Sequence, residues 1–346
     1  MIFRWPFVLS LALTLDGSLF LAAENADVTP EAAEVCKILF LGNSFTARHD
    51  VAGLVESILE EGDPNIDVQV QRVIYGGQNM FKHSTYYFSQ TFLQQSILTN
   101  KEIGERINLM KSYLTAEKPP NPIEWDQHWA SLGKTNEPFA VIRGHLVKAI
   151  KAHEALLQNN PRIVWDAIVL QSWRDVSDHP NQGYERYATK LAEMAAAQGT
   201  DVILYMTSPE TQNEMPVSEP YNSASAERDT AVGRRMKATL KPRAVIPVPL
   251  AIRKIQEGGT DLVFRYQNDG HPNQTCAYLV ANLFYAALTG KSPEGLVFNA
   301  VVETKLKDGK DPDGGAAKVL FEGETKAYLQ RMAHETVGEF LEETID

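Results

Sequence analysis

Positive charge is scarce in this chain. Lysine and arginine together number 33 against 44 aspartates and glutamates, leaving a net charge of −11 over 346 residues. No basic stripe with interleaved aromatics occurs, which excludes a nucleic-acid surface, because phosphate binding needs concentrated Lys and Arg. Beyond the first two dozen residues there is no apolar run long enough to cross a bilayer, which takes about 20 residues. Internal repeats and low-complexity tracts are absent. The eight histidines show no metal-ligand spacing, so no metal site is expected. "HEALL" at His153 lacks the second histidine of a zinc-protease helix, and "LTGKSP" lacks the earlier glycine of a phosphate loop. Acidic pairs such as Glu60–Glu61 fall on solvated helix faces. What remains is ordinary for a globular protein with a real core: 44% hydrophobic and 22% charged residues.

The N-terminus differs from the rest. "MIFRWP" carries one positive charge, "FVLSLALTL" is apolar, and "FLAAENA" offers small residues for cleavage, the three-part pattern of a secretory signal peptide. Residues 1–26 are therefore expected to direct export to the periplasm or the exterior. Asp16 interrupts the apolar run, which speaks against a permanent membrane span. An exported chain with two cysteines could form one bridge. Cys36 opens the first strand, however, and Cys276 falls just past the last one. At about 3.3 Å per strand residue, the first strand separates Cys36 from Ser44, beside which Cys276 is expected. Two free, buried thiols are predicted.

Five segments read as buried parallel strands, being short, apolar and rich in β-branched residues between turn signals. They are 37–41, 68–74, 167–170, 201–206 and 244–248. Amphipathic stretches lie between them. "VAGLVESILEEG" puts its apolar side chains on one face, and "YERYATKLAEMAAAQG" does so and stops at Gly199. "HPNQTCAYLVANLFYAALTG" ends at Gly290, and a last helix is expected over 325–341. Alternating strands and helices predict an α/β fold, a parallel sheet with helices on both faces, as a single domain over 34–346. The stretch from about 88 to 143 breaks this rhythm with a helix and then "EKPPNPIEWDQHWASLGKTNEP". It reads as an insertion, either a cover over the sheet edge or a lid presenting Trp125, His128 and Trp129 to a substrate.

Chemistry-bearing residues gather at the strand ends. In an open parallel sheet, ligands bind beyond the carboxyl ends of the strands. The first strand, "KILFLGNSFTARHD", ends on Ser44, whose backbone N–H lies near a helix N-terminus. A serine there is either an N-cap or a presented nucleophile. The second strand ends at Gly76 and Gly77, where the backbone can approach a ligand. The third ends at Gln171, whose amide is a neutral donor suited to an oxyanion. After the fifth, "NDGHPNQTCAYL" places His271 before Pro272, with Asp269 two residues earlier to orient it. Histidine is the natural base for a serine hydroxyl.

With these blocks the chain resembles the SGNH hydrolases, also called the GDSL esterase/lipase family. "GNSFT" corresponds to the nucleophile block, "GGQNM" to the glycine block and "DGHPNQTCAYLVANLFYAALTG" to the acid–base block. The similarity is to bacterial members whose nucleophile block reads Gly-Asn-Ser-Phe. It implies a three-layer α/β/α fold with a five-stranded parallel sheet, Ser44 as nucleophile and His271 as base. It also implies the N–H groups of Ser44 and Gly77 as oxyanion donors, with no cofactor. Two features depart from the family pattern. Asn268 holds the position three before the histidine where many members carry the aspartate, so Asp269 is offset by one. The usual Gly-x-Asn-Asp block is missing, and Gln171 is the amide at the matching strand end. Exported relatives often deacetylate carbohydrates, which makes an O-acetyl sugar ester the expected substrate, with Trp125, Trp129 and Trp173 available to stack on sugar rings. Two other readings stay open: a secreted carbohydrate-binding protein with the same fold and no turnover, and a lipase- or thioesterase-like enzyme.

Overall fold

Each of the five apolar runs forms a strand: β1 (Glu34–Gly42), β2 (Ile66–Ile74), β3 (Ala167–Gln171), β4 (Asp201–Met206) and β5 (Ala244–Pro247). The computed structural model describes residues 33–159, 161–212, 214–219 and 222–342. The strands are all parallel and stand in the order β2-β1-β3-β4-β5. The order reverses between β1 and β3, so the loops leaving these strands diverge and open a crevice at their carboxyl ends.

The connecting helices follow in chain order: α1 (Ser44–Ala47), α2 (Val51–Gly62), α3 (Met80–Thr85), α4 (Gln90–Leu93), α5 (Asn100–Tyr113), α6 (Pro122–Ser131) and α7 (Arg143–Asn159). After them come α8 (Gly183–Ala196), α9 (Ser223–Leu240), α10 (Val248–Glu257), α11 (Gln274–Thr289) and α12 (Gly323–Glu342). Because strand side chains alternate between faces, Leu39, Leu41, Ile168 and Leu170 join one core with Ile103 and Ile107 of α5, Leu146 of α7 and Leu191 of α8. The alternate residues face α2 and α11: the Phe40 and Tyr205 rings lie 6.0 and 5.4 Å from Phe284. The three-layer α/β/α architecture expected from the sequence is thus the one observed.

The aromatic side chains of the insertion do not present themselves to the Ser44 cleft. Asn121 caps α6 and Pro122 starts it, which sets Trp125 and Trp129 one helical turn apart on the same face. That face turns inward, and both indoles are buried. Trp125 packs edge-on against Tyr86 and Phe139 and tilted against Phe81, and its Nε1–H donates to the Glu137 carbonyl. His128 stacks on Phe81 at 4.1 Å, and burial lowers its pKa to about 3. Trp125 therefore belongs to the core and cannot serve as a substrate wall, which corrects the expectation drawn from its Pro- and Trp-rich surroundings.

One element was not foreseen. Strands β6 (Ala300–Val302) and β7 (Lys318–Leu320) form a small antiparallel sheet after α11. It delivers a buried glutamate, Glu303, toward the crevice. Both cysteines are free and buried, as predicted. Among the described residues no helix is long and apolar enough to cross a membrane. The proposed signal segment, 1–26, lies outside the described residues.

Candidate active site

The turn after β1 is held from three sides by Asn43. Its side-chain oxygen accepts the Phe45 N–H and so caps α1, its Nδ2 donates to the Gln78 carbonyl, and its own N–H donates to Gln171 Oε1 at 2.9 Å. Since Asn43 is the cap, the Ser44 hydroxyl is released from that duty and faces solvent half-buried. Gly42 has to be a glycine here. A Cβ on it would stand 2.4 Å from Gln171 Oε1. Its carbonyl accepts from His83 Nε2 at 2.9 Å, which puts the ring proton on Nε2 and leaves Nδ1 to accept from the Ser89 hydroxyl.

The loop before α11 brings the base. Asn273 caps α11, Gly270 takes a left-handed conformation, and Arg265 donates to the Gly270 carbonyl. His271 then reaches across the crevice so that its Nε2 lies 3.0 Å from Ser44 Oγ. On the far side of the ring, Nδ1 donates to Asp269 Oδ1. The one-residue offset of this aspartate does not prevent contact. Its backbone is placed by the turn in which Gly270 N–H donates to the Tyr266 carbonyl and Tyr266 N–H to the His271 carbonyl.

Two residues that the sequence reading missed hold the aspartate. Arg48, one turn past Ser44, donates to Asp269 Oδ2 at 3.0 Å and forks onto both oxygens of Glu303, at 2.9 and 2.6 Å. Burial works to raise the pKa of the Asp269 carboxyl. Hydrogen bonds from Arg48 and then His271 outweigh it, and the group is held below the ordinary range. Glu303 is held low in the same way, burial being overcome chiefly by Arg48. The carboxylate facing the imidazole is therefore ionised wherever the histidine is expected to work.

Ser44, His271 and Asp269 line one cleft of about 370 Å³ with Gly76, Gly77 and Trp173, while Arg48 and Glu303 stand behind it. Gly77 adopts φ +62°, a conformation that favours glycine. Among the described residues, neither the Ser44 N–H nor the Gly77 N–H donates to a protein acceptor, so both are available to a ligand. A hollow of similar size over β2 and α7 has no serine, threonine, cysteine or histidine in its lining.

Gln171 does not face the cleft. Its Oε1 accepts from the Asn43 N–H and the Thr46 hydroxyl, its Nε2 donates to the Ser172 carbonyl, and the side chain is 1% exposed. The amide oxygen braces the Ser44 turn and the amide nitrogen is turned to the Ser172 carbonyl, so the expected oxyanion donor is a positioning residue instead. Gln171→Leu should therefore strand two buried donors, lowering stability by about 1–3 kcal/mol for each one left unpaired. Urea denaturation checks this. An unchanged midpoint with lost turnover would restore the donor role.

Of the three tryptophans, Trp173 alone lines the Ser44 cleft. Trp129 borders an adjoining hollow, and Trp125 borders neither.

No protein-family model matches the chain, and no curated protein does. Solved structures do. A DUF4886 family protein from Bacteroides uniformis is 13% identical, with a TM-score of 0.47 over 90% of this chain and 98% of that one. A protein from Slackia heliotrinireducens assigned to the SGNH hydrolases is 16% identical, with a TM-score of 0.39 over 74% of this chain and 100% of that one. A protein from Parabacteroides merdae assigned as a GDSL-like lipase is 11% identical, with a TM-score of 0.41 over 75% and 99%. At these scores the chemistry of this chain has to be read from its own residues.

Proposed function

We propose that the chain is a serine ester hydrolase that removes acetyl or other short acyl groups from carbohydrate. The observation that carries this reading is the continuous relay from Ser44 Oγ through the two ring nitrogens of His271 to Asp269. Because Nδ1–H is engaged by the carboxylate, Nε2 keeps its lone pair for the serine proton. Ser44 Oγ then bonds to the ester carbonyl carbon, and His271 takes the proton. The negative oxygen is received by the free N–H groups of Ser44 and Gly77. Collapse breaks the bond to the alcohol, which leaves with the proton from His271. Water, activated by the same ring, adds to the acyl-enzyme and frees the acid and Ser44. The net reaction is ester plus water to acid plus alcohol, with no other reactant.

The small cleft supports a short acyl group over a long one, and the half-buried Trp173 supports a sugar as the alcohol. The N-terminal pattern supports export. A binding protein without turnover was suggested by the offset aspartate and by the missing Gly-x-Asn-Asp block; the contact between Asp269 and His271 speaks against the first of these motives. Release of acetate from acetylated sugars, measured beside nitrophenyl esters of increasing chain length, tests the proposal. The expected result is highest kcat/KM for acetyl esters. Cleavage confined to long acyl chains would overturn the carbohydrate assignment.

A further inference from the structure

The Ser44 cleft does not end at its tryptophan. Trp173, Arg174 and Thr211 form a ridge that is shared with a second hollow of about 390 Å³. The charged groups of that hollow are Lys82, Lys134 and Arg174 against Glu137 and Glu210. Two of the cations are paired: Lys82 Nζ lies 2.7 Å from Glu137, and Lys134 Nζ lies 3.9 Å from Glu210. The other arginines around the cleft are also engaged. Arg48 holds two carboxylates, and Arg265 donates to the carbonyls of Ser208, Pro209 and Gly270. Arg174 is different. Among the described residues its guanidinium meets no carboxylate or carbonyl, and its one recorded contact is with the Trp173 ring, 5.6 Å from the centroid.

The ridge is also rigid. Trp173 N–H donates to Asp175, a carboxylate that is itself fully buried and accepts a second N–H from Met80. Lys134 donates to the Arg174 carbonyl. One step back, Ser172 is tied to Thr207 through side chain and backbone. An arginine held near an indole face and bonded to no acceptor keeps its fork free, and that fork can receive a carboxylate through two parallel hydrogen bonds. In a protein of net charge −11, a cation here that no carboxylate neutralises, with Arg265 also lining the cleft, runs against the overall field.

We infer that Arg174, with the hollow behind it, is a subsite for a carboxylate on the alcohol part of the ester, which makes the substrate class an O-acylated acidic sugar. This rests on the hydrolase reading above and names its substrate. The sugar ring lies against Trp173, the acyl group points to Ser44, and the acid group points to Arg174.

The test compares an O-acetylated methyl uronoside carrying a free carboxylate with the same compound methyl-esterified on that carboxylate. Wild type is first assayed on p-nitrophenyl acetate. The expected result is a preference in kcat/KM of about 10–100-fold for the free carboxylate, the range of a charged hydrogen bond, falling toward one in Arg174→Gln. Raised salt should narrow the wild-type preference. Equal rates on the two compounds in wild type would overturn the subsite, as would a preference that survives in Arg174→Gln. Failure of wild type on p-nitrophenyl acetate would instead overturn the hydrolase reading beneath it.

Discussion

Ser44→Ala is expected to lower ester turnover by about 10⁴-fold or more, as loss of a covalent nucleophile does. The same change should leave stability within about 0.5 kcal/mol, because the side chain is half-buried and bridges no two elements except through His271. The asymmetry follows from how the turn is built. Asn43 caps α1, Gln171 braces the Asn43 N–H, and His83 holds the Gly42 carbonyl, so the turn survives without the hydroxyl. Initial rates on p-nitrophenyl acetate, beside urea denaturation of both proteins, check the two halves separately. A residual rate within tenfold of wild type would remove Ser44 from the mechanism.

The second large effect is expected from Arg48. Its side chain is 6% exposed and that of Glu303 is 0% exposed, so the pair is buried. Arg48→Gln leaves Glu303 without its counter-charge, which costs about 3–5 kcal/mol where one member of a buried pair is removed. Asp269 loses the nearer partner of its second oxygen as well, keeping there only the exposed Lys305 at 3.9 Å. Both carboxyls are depressed in the folded protein. A depressed acid stabilises the fold above its unfolded pKa, near 4 by the usual range, and loses that contribution as pH falls through the folded value. Removing Arg48 raises both folded values, so acid unfolding of the variant should begin at higher pH than in wild type. Circular dichroism against pH reads that shift directly. The double replacement Arg48→Met with Glu303→Leu should recover most of the stability, as apolar substitution of a buried ion pair often does. It should not recover the rate, because the second oxygen of Asp269 would keep only the distant, exposed Lys305 in place of the Arg48 hydrogen bond. Recovery of both would mean that Arg48 serves the fold alone.

The five strands were legible because both faces of the sheet are covered, which forces continuous apolar runs. Their observed bounds exceed the expected ones mainly at the start of β1 and β2, where Glu34 pairs with Ile66 and Val35 with Asp67 ahead of the apolar runs. The strand-end residues were legible as a set, since a parallel sheet brings its carboxyl ends together whatever the loops do. Direction was not legible. The position of Gln171 says that its amide lies at the rim, but only the Asn43 and Thr46 donors decide that it turns back under the nucleophile. Trp125 was misread through composition, although its spacing of four residues from Trp129 on a capped helix was itself the signal of an inward face. Arg48 and Glu303 stand 255 residues apart, and the strand that joins them is only three residues long. Nothing local in either segment announces the other.

Covalent trapping tests the central claim most directly. After incubation with a fluorophosphonate, intact-mass measurement and peptide mapping should show one adduct, placed on Ser44, absent from Ser44→Ala and strongly slowed in a folded His271→Gln protein. A folded wild-type protein that takes up no label, or one that carries it on another residue, would contradict the relay on which the mechanism stands.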